Sequence, residues 1–402
     1  MKKYFINFHI RSNECFCAFI KNISNNYLNI KLNTNSQISY QNVTELTTWH
    51  DEVMSEVKNI INNEQLIINY VFDDNIFPNL EQKIMVNKLN CSKISCDAKT
   101  LHDLFDKKNQ LLAHSKTIED FISTSPINYM MQKNEIIKEY RDIPKNREAE
   151  TITQYLSTFS TNLNDKLNDF KSIFSPKIPN SKINYFLKSQ ILSFNIKDMP
   201  TNSLITDIEQ NYISYFVVKN GSVLTYNKIP YGYGLLQHYL NDDHMSKLKY
   251  LIKHSQEHIT QDLSQEEILE IKAISKIYNE YKNVLLQALV QHIIKSYKNP
   301  LISNLNHIAF TGQFAWMVSD IEKTFFTHFN KYNMIVQSIN NASNFKLFAL
   351  EDIILEQVVL ATNNSRKETI QNNTIMSKID YTHPKAKSNF ISKFMSKINI
   401  FK

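Results

Sequence analysis

The chain has 402 residues, 42% of them hydrophobic, which is enough for two to four compact units with cores of their own. Its formal charge of +6 is concentrated at one end: from Asn363 to Lys402 eight Lys and Arg residues stand against Glu368 and Asp380, so the rest of the chain is neutral. A neutral body with no basic, aromatic-interleaved face argues against a general nucleic-acid reader, and no apolar run reaches the roughly 18 residues that a membrane span needs.

The start MKKYFINFHI has no sustained apolar core or cleavage site of a secretory leader, so the chain is expected in the cytosol. There Cys15, Cys17, Cys91 and Cys96 are expected as reduced, buried thiols in preference to zinc ligands. The four glycines, Gly221, Gly232, Gly234 and Gly312, all lie beyond residue 220. A Gly-rich nucleotide loop near the N-terminus is therefore excluded, because side chains would stand where backbone amides must approach phosphate.

In chain order, YFINFHI, ECFCAFI and YLNIKL read as strands, followed by a helix over about 48–62 and the apolar strand LIINYVF. Between 80 and 200 the pattern predicts a strand near KIMVNKL, helices near 99–113 and 147–172, and a strand near QILSFNI. SLITDI then reads as a buried strand, and NYISYFVVKNGSVLTYNKIP as a hairpin turning at Asn220-Gly221, a dipeptide suited to the tight turns of short hairpins. Helices near 233–254 and 264–297, the strand HIAFT, a turn at Gly312, a helix over 314–328, a strand near MIVQSI and a helix over 350–362 complete the folded part.

The last 15 residues, SNFISKFMSKINIFK, carry a helical apolar face. At 100° per residue Phe390, Ile391, Phe394, Met395, Ile398 and Phe401 fall within an arc of about 140°, with serines opposite. Lys393 lies off that arc, Lys397 sits at its edge, and the terminal Lys402 can snorkel. A short, basic, aromatic helix of this kind suits a membrane interface with anionic lipids, and the alternative is a helix docked on the protein's own body. The polar stretch before it would act as a tether reaching about 25–30 Å as a random coil.

The run DIEQNYISYFVVKNGSVLTYNKIPYGYG, the later HIAFTGQFA and the amphipathic tail together resemble the actin-like ATPases, in particular the FtsA-type bacterial division proteins. The resemblance implies an α/β, actin-like two-lobed fold with mixed sheets, a small inserted subdomain and a C-terminal amphipathic helix. It divides the chain into 1–80 (first lobe), 81–165 (insert), 166–202 (return to the first lobe), 203–362 (second lobe), 363–387 (linker) and 388–402 (membrane helix). It further implies a cytoplasmic adaptor, peripheral on the inner face of the membrane at the division site, that tethers FtsZ-type filaments docked near residues 237–305 and is capable of self-association. The alternative within the same fold is a pilus or secretion scaffold similar to PilM.

Carried over residue by residue, the resemblance places ATP and Mg near Ser12, Asp207, Thr311 and Gly312. The phosphate loops nevertheless depart from the family pattern. In the first, His9-Ile10-Arg11-Ser12 replaces Asp-x-Gly-Ser/Thr; in the second, Glu209 replaces a glycine; in the third, Gln313 and Phe314 follow Gly312. Weak or absent ATPase activity is the expectation, with Asp207 as the remaining candidate for a metal- or water-positioning carboxylate, or else a strand-end cap. A rival signal is His254-Ser255-Gln256-Glu257-His258, which has the His-x-x-Glu-His spacing of inverted zinc proteases, with His254 and His258 as ligands and Glu257 activating water. Under that alternative the protein would be a zinc-dependent hydrolase.

Overall fold

A computed structural model of the chain describes residues 3–91, 100–107, 121–161, 170–194, 202–254, 263–296, 305–312, 335–338 and 370–371, with short breaks inside several of these spans. They divide into two compact units, one comprising Met1–Lys197, Asn220–Leu224 and Glu351–Tyr381, the other Asp198–Lys219, Thr225–Leu350 and Thr382–Lys402.

The first unit opens with β1 (Lys3–Ile10), β2 (Cys15–Ile23) and β3 (Asn26–Ile30), passes through helix α1 (Val43–Ile61) to β4 (Gln65–Phe72), and later adds β9 (Ser181–Leu187). The sheet order is β3-β2-β1-β4-β9, antiparallel on the β1–β2–β3 side and parallel through β1–β4–β9. Helix α1 buries Leu46, Trp49, His50, Val53, Met54, Val57 and Ile61, a stripe at helical spacing. Beneath it Phe8 stacks on Tyr70, whose hydroxyl meets His50 Nε2 at 2.8 Å.

An asparagine ladder fixes the parallel register. Asn7, Asn69 and Asn184 are direct partners across β1, β4 and β9, and each side-chain amide donates to the next, Asn69 to Asn7 at 2.7 Å and Asn184 to Asn69 at 2.8 Å. A one-residue slip would leave the buried Asn7 and Asn69 amides without these partners, which is costly away from water.

Between β4 and β9 lies a second, antiparallel sheet of the same unit. It contains β5 (Glu81–Asn90), β6 (Phe121–Lys133), β7 (Ile136–Tyr140) and β8 (Thr151–Ser160), with the two-residue β15 (Ile370–Gln371) at one end, in the order β15-β7-β6-β8-β5. Residues 100–101 and 103–105 are helical, and Leu101 and Phe105 join Leu89, Tyr129, Met131, Tyr140 and Ile152 in its core.

Two sequence expectations are corrected here. The helix expected over 147–172 is in its first part the strand β8, whose Ile152, Leu156 and Phe159 happen to fit a helical period while the segment pairs along its length with β5 and β6. The strand expected near QILSFNI is helix α2 (Lys188–Phe194), started by Gln190 Oε1 accepting the Leu187 amide and by Asp74 accepting the Ser189 amide. The strand at this point is the preceding segment, β9.

The second unit repeats the plan of the first. β10 (Asn202–Ile208), β11 (Ile213–Lys219) and β12 (Ser222–Ile229) are followed by helices α3 (Gly234–Gln237), α4 (Asp242–His254) and α5 (Gln265–Ser296), then β13 (Leu305–Thr311) and β14 (Ile335–Ser338). The order is β12-β11-β10-β13-β14, antiparallel between β10 and β11 and parallel through β10–β13–β14. At the hairpin turn Asn220 has φ +54° and Gly221 φ +75°, the paired left-handed values of a type I′ turn. The helix expected over 233–254 is interrupted: α3 ends at Gln237, and Asn241 then caps α4 by accepting the His244 amide at 2.8 Å.

Among the described residues no helix is long and apolar enough to cross a membrane. The expected helices over 314–328 and 350–362 lie outside the described residues, as does the segment 388–402 with Phe390, Ile391, Lys393, Phe394, Met395, Lys397, Ile398, Phe401 and Lys402.

Candidate functional site

In the first unit the parallel strands β1, β4 and β9 end in a buried charged cluster. His9, at the end of β1, meets Asp73 Oδ1 through Nε2 at 2.9 Å, and Arg11 Nε lies 3.7 Å from Asp73 Oδ2. Arg11 also donates to Glu14 at 3.3 Å, while its backbone amide donates to the Glu14 carbonyl at 2.9 Å. Lys188, fully buried at the junction of β9 and α2, adds a second positive charge. Burial pushes the Asp73 carboxyl up, but the Lys188 charge, the His9 hydrogen bond and the Arg11 charge together outweigh it and hold Asp73 below the ordinary carboxylate range.

Beside it Asp74 accepts from the Ser189 amide and hydroxyl at 3.3 and 3.2 Å. Ser12 is only half-buried, and its carbonyl accepts from the Ser39 hydroxyl at 3.3 Å. The sequence reading missed Asp73, Asp74 and Lys188. The signal available was an Asp-Asp pair closing an apolar strand, at the strand ends where α/β sheets place their ligands.

In the second unit Asp207 lies directly between Ser214 of β11 and Thr311 of β13, so three polar residues share one row. All three are buried; Asp207 Oδ2 accepts the Tyr212 hydroxyl at 3.3 Å, and the Ser214 and Thr311 hydroxyls find no partner among the described residues. Gly312 has φ +95°, and a Cβ there would meet the Ile208 carbonyl at 2.4 Å and Asp207 Oδ1 at 2.7 Å. Packing of β13 against β10 thus requires this glycine whether or not a ligand is present.

Gly232 and Gly234 are required in a similar way. A Cβ on Gly232 would stand 1.7 Å from the Glu209 carbonyl, and one on Gly234 would stand 2.8 Å from the Gln210 carbonyl. The close approach is held by the Tyr233 amide donating to Glu209 at 3.0 Å and the Gly234 amide donating to Gln210 at 2.9 Å, while the Glu209 amide donates to Tyr212 at 3.0 Å.

A triphosphate cradle needs backbone amides pointing outward and room beside them. Here the Arg11, Glu209, Tyr233 and Gly234 amides are spent on protein carbonyls, Arg11 is turned onto Asp73 and Glu14, and Glu209 is a buried acid where the family pattern has glycine. The residues described therefore do not fit ATP with Mg, and no step is derived through them. What survives is Asp207 and the Thr311 hydroxyl, polar groups without a cradle.

For the zinc alternative, His254 is the last residue of α4, and Glu257 and His258 lie outside the described residues. Among the described residues no cluster of three His, Cys, Asp or Glu side chains could hold a metal. Cys15 is buried against the Ile38 carbonyl at 3.5 Å, and burial pushes its thiol up to about 12, as suits a structural cysteine.

Two sheets of identical strand order in one chain, each an antiparallel three-strand side joined to two parallel strands, with an extra sheet inserted in the first copy, define the architecture. The chain has an actin-like fold. No family model and no curated protein matches the sequence. Among solved structures this actin-like chain is similar to a chain of the PilM-PilN type IV pilus biogenesis complex, at 10% identity over 90% of this chain and 98% of that one, with a TM-score of 0.43. It is also similar to MreB5 of Spiroplasma citri bound to ADP, at 10% identity over 89% and 95% of the two chains, with a TM-score of 0.38. A Bacteroides thetaiotaomicron VPI-5482 protein of unknown function with an actin-like ATPase fold aligns at 10% identity over 89% and 95%, with a TM-score of 0.32. At these values the strand order, and not the alignments, carries the actin-like assignment.

Proposed function

We propose that this protein is a non-hydrolysing actin-like adaptor of the FtsA type, tethering FtsZ-type filaments to the inner face of the cell membrane through its C-terminal amphipathic segment. The observation that carries this reading is the closure of the first two phosphate loops onto the protein's own groups while the duplicated sheets are kept; Gln313 and Phe314 of the third lie outside the described residues. Binding and assembly then remain as its work. The basic, aromatic periodicity of 388–402 supports the membrane end. At the partner end, α4 and α5 expose Tyr250 at 56% and Leu269 at 66%, within the stretch 237–305 that the family resemblance assigns to filament docking.

The test is vesicle recruitment. The full chain should carry preformed FtsZ-type filaments onto vesicles rich in anionic lipid, and a chain ending at residue 387 should leave them in solution. Recruitment by the shortened chain, or none by the full one, would sink the adaptor reading. Capture of a pilus inner-membrane peptide in place of the filament would favour a PilM-like scaffold.

A further inference from the structure

β7 is the terminal strand of the inserted sheet's own four strands, and a terminal strand presents a row of backbone donors and acceptors that recruits other chains unless it is covered. It is also apolar at its start, where Ile136 is 55% exposed. The segment lying on this edge comes from the far end of the sequence: β15 runs antiparallel to β7, with Ile370 opposite Tyr140 and Gln371 opposite Glu139. Along β7 the two residues so paired are buried, whereas Ile136, Ile137 and Lys138, beyond the end of β15, are exposed or half-buried.

We propose that the outer edge of β7 is a strand-acceptor site and that its occupant is the chain's own C-terminal segment, entered by strand addition around Ile370–Gln371. The sequence of that segment suits the role. From Asn363 to His383 it contains no proline, so every residue can donate to a ladder, and Thr369-Ile370 and Thr374-Ile375 supply β-branched residues within a polar stretch. Among the described residues two pairs form, and a ladder of that length is one that a competing strand can displace.

The pinning also changes the tether, a consequence that rests on the membrane reading above. As a random coil, the stretch from Gln371 to Phe390 would reach about 24 Å, against about 29 Å for one that starts at Thr362. It starts from the inserted sheet of the first unit. Release of β15 would lengthen the tether and open the β7 edge together.

The experiment uses the full chain and backbone exchange. Changing Ile370 and Gln371 both to Pro removes two donors from a segment whose loss cannot unfold the sheets, and should speed amide exchange across 136–140 at least five-fold while leaving β5 and β8 unchanged. A chain ending at residue 363 should give the same pattern. Unchanged exchange at 136–140 in both, or faster exchange spread across β5 and β8, would overturn the proposal. Independently, Glu139→Cys with Gln371→Cys should cross-link within one chain at least ten-fold more than Ile136→Cys with Gln371→Cys. Equal yields, or links found only between differently labelled chains, would overturn the intramolecular assignment. None of these readouts depends on vesicles or filaments, so the edge contact can fail while the adaptor reading stands, and the reverse.

Discussion

Asp73 is the residue on which the first unit's charges converge, and its chemistry sets two expectations. A buried carboxylate beside His9, Arg11 and Lys188 stabilises the fold only while ionised, and its removal takes a compensating charge from beside two buried cations, of which Arg11 keeps Glu14. Asp73→Asn should therefore cost about 3–5 kcal/mol at neutral pH in denaturant unfolding. The sign with pH follows from the direction of the shift. A carboxyl held below its ordinary value of 3.8 contributes stability that is fully present above that pH and is lost as pH falls through the lower folded value, so the gap between the two proteins should shrink below about pH 4. In the second unit the Thr311 hydroxyl, without a partner among the described residues, predicts the opposite sense. Thr311→Val should be neutral or stabilising by about 1 kcal/mol, whereas Gly312→Ala, forced to φ +95° against the Ile208 carbonyl, should destabilise by about 2 kcal/mol or more. Thermal unfolding of the two variants side by side checks the pair.

Helix α1 shows how an element's ends are encoded beyond its apolar stripe. The stripe alone suggested a start near residue 48, but the helix begins at Val43 because Asn42 accepts the Glu45 amide at 3.3 Å and donates back to the Glu45 carboxylate at 2.8 Å. Asn42→Ala should cost about 1 kcal/mol, and Asn42→Ser should restore most of it, read as shifts in the unfolding midpoint. α5 starts in the same way, with Ser264 and Glu267 capping each other in a Ser-x-x-Glu box. The sheets of the two repeats were legible because buried strands such as LIINYVF and SLITDI carry their own apolar pattern. Of the inserted sheet only β5 was legible, as the strand expected near KIMVNKL, and β6, β7 and β8 were not. Ile152, Leu156 and Phe159 fit a helix as well as a strand, and only pairing with Met85 and neighbours, some 70 residues earlier in sequence, decides between them. Similarly, α2 is started by Asp74, which lies 115 residues before Ser189. Local patterns cannot register partners so distant, and the charged cluster around Asp73 was missed for the same reason.

At the scale of the whole molecule, the duplicated plan and the closed loops make opposite predictions for a nucleotide, and the difference is large enough to measure. Any ligand that binds only the folded chain raises its stability with the ratio of concentration to dissociation constant; 1 mM nucleotide at a micromolar site would add about 4 kcal/mol. For a unit of this size that corresponds to a rise of roughly ten degrees in the unfolding midpoint. The amides of Arg11, Glu209, Tyr233 and Gly234 are already committed to protein carbonyls, so opening them to phosphate would break about as many hydrogen bonds as it made, and Glu209 would add repulsion. The midpoint with Mg-ATP should therefore lie within about one degree of that without it, since near-zero affinity leaves nothing to link. Calorimetric titration should agree, giving no constant at or below the micromolar range. Glu209→Gly is the informative companion, because it removes the acid while leaving the Tyr233-to-Glu209 backbone bond in place. If repulsion alone excluded nucleotide, this variant would gain a midpoint shift with Mg-ATP; if the closed amides exclude it, as the geometry indicates, the shift should remain near zero.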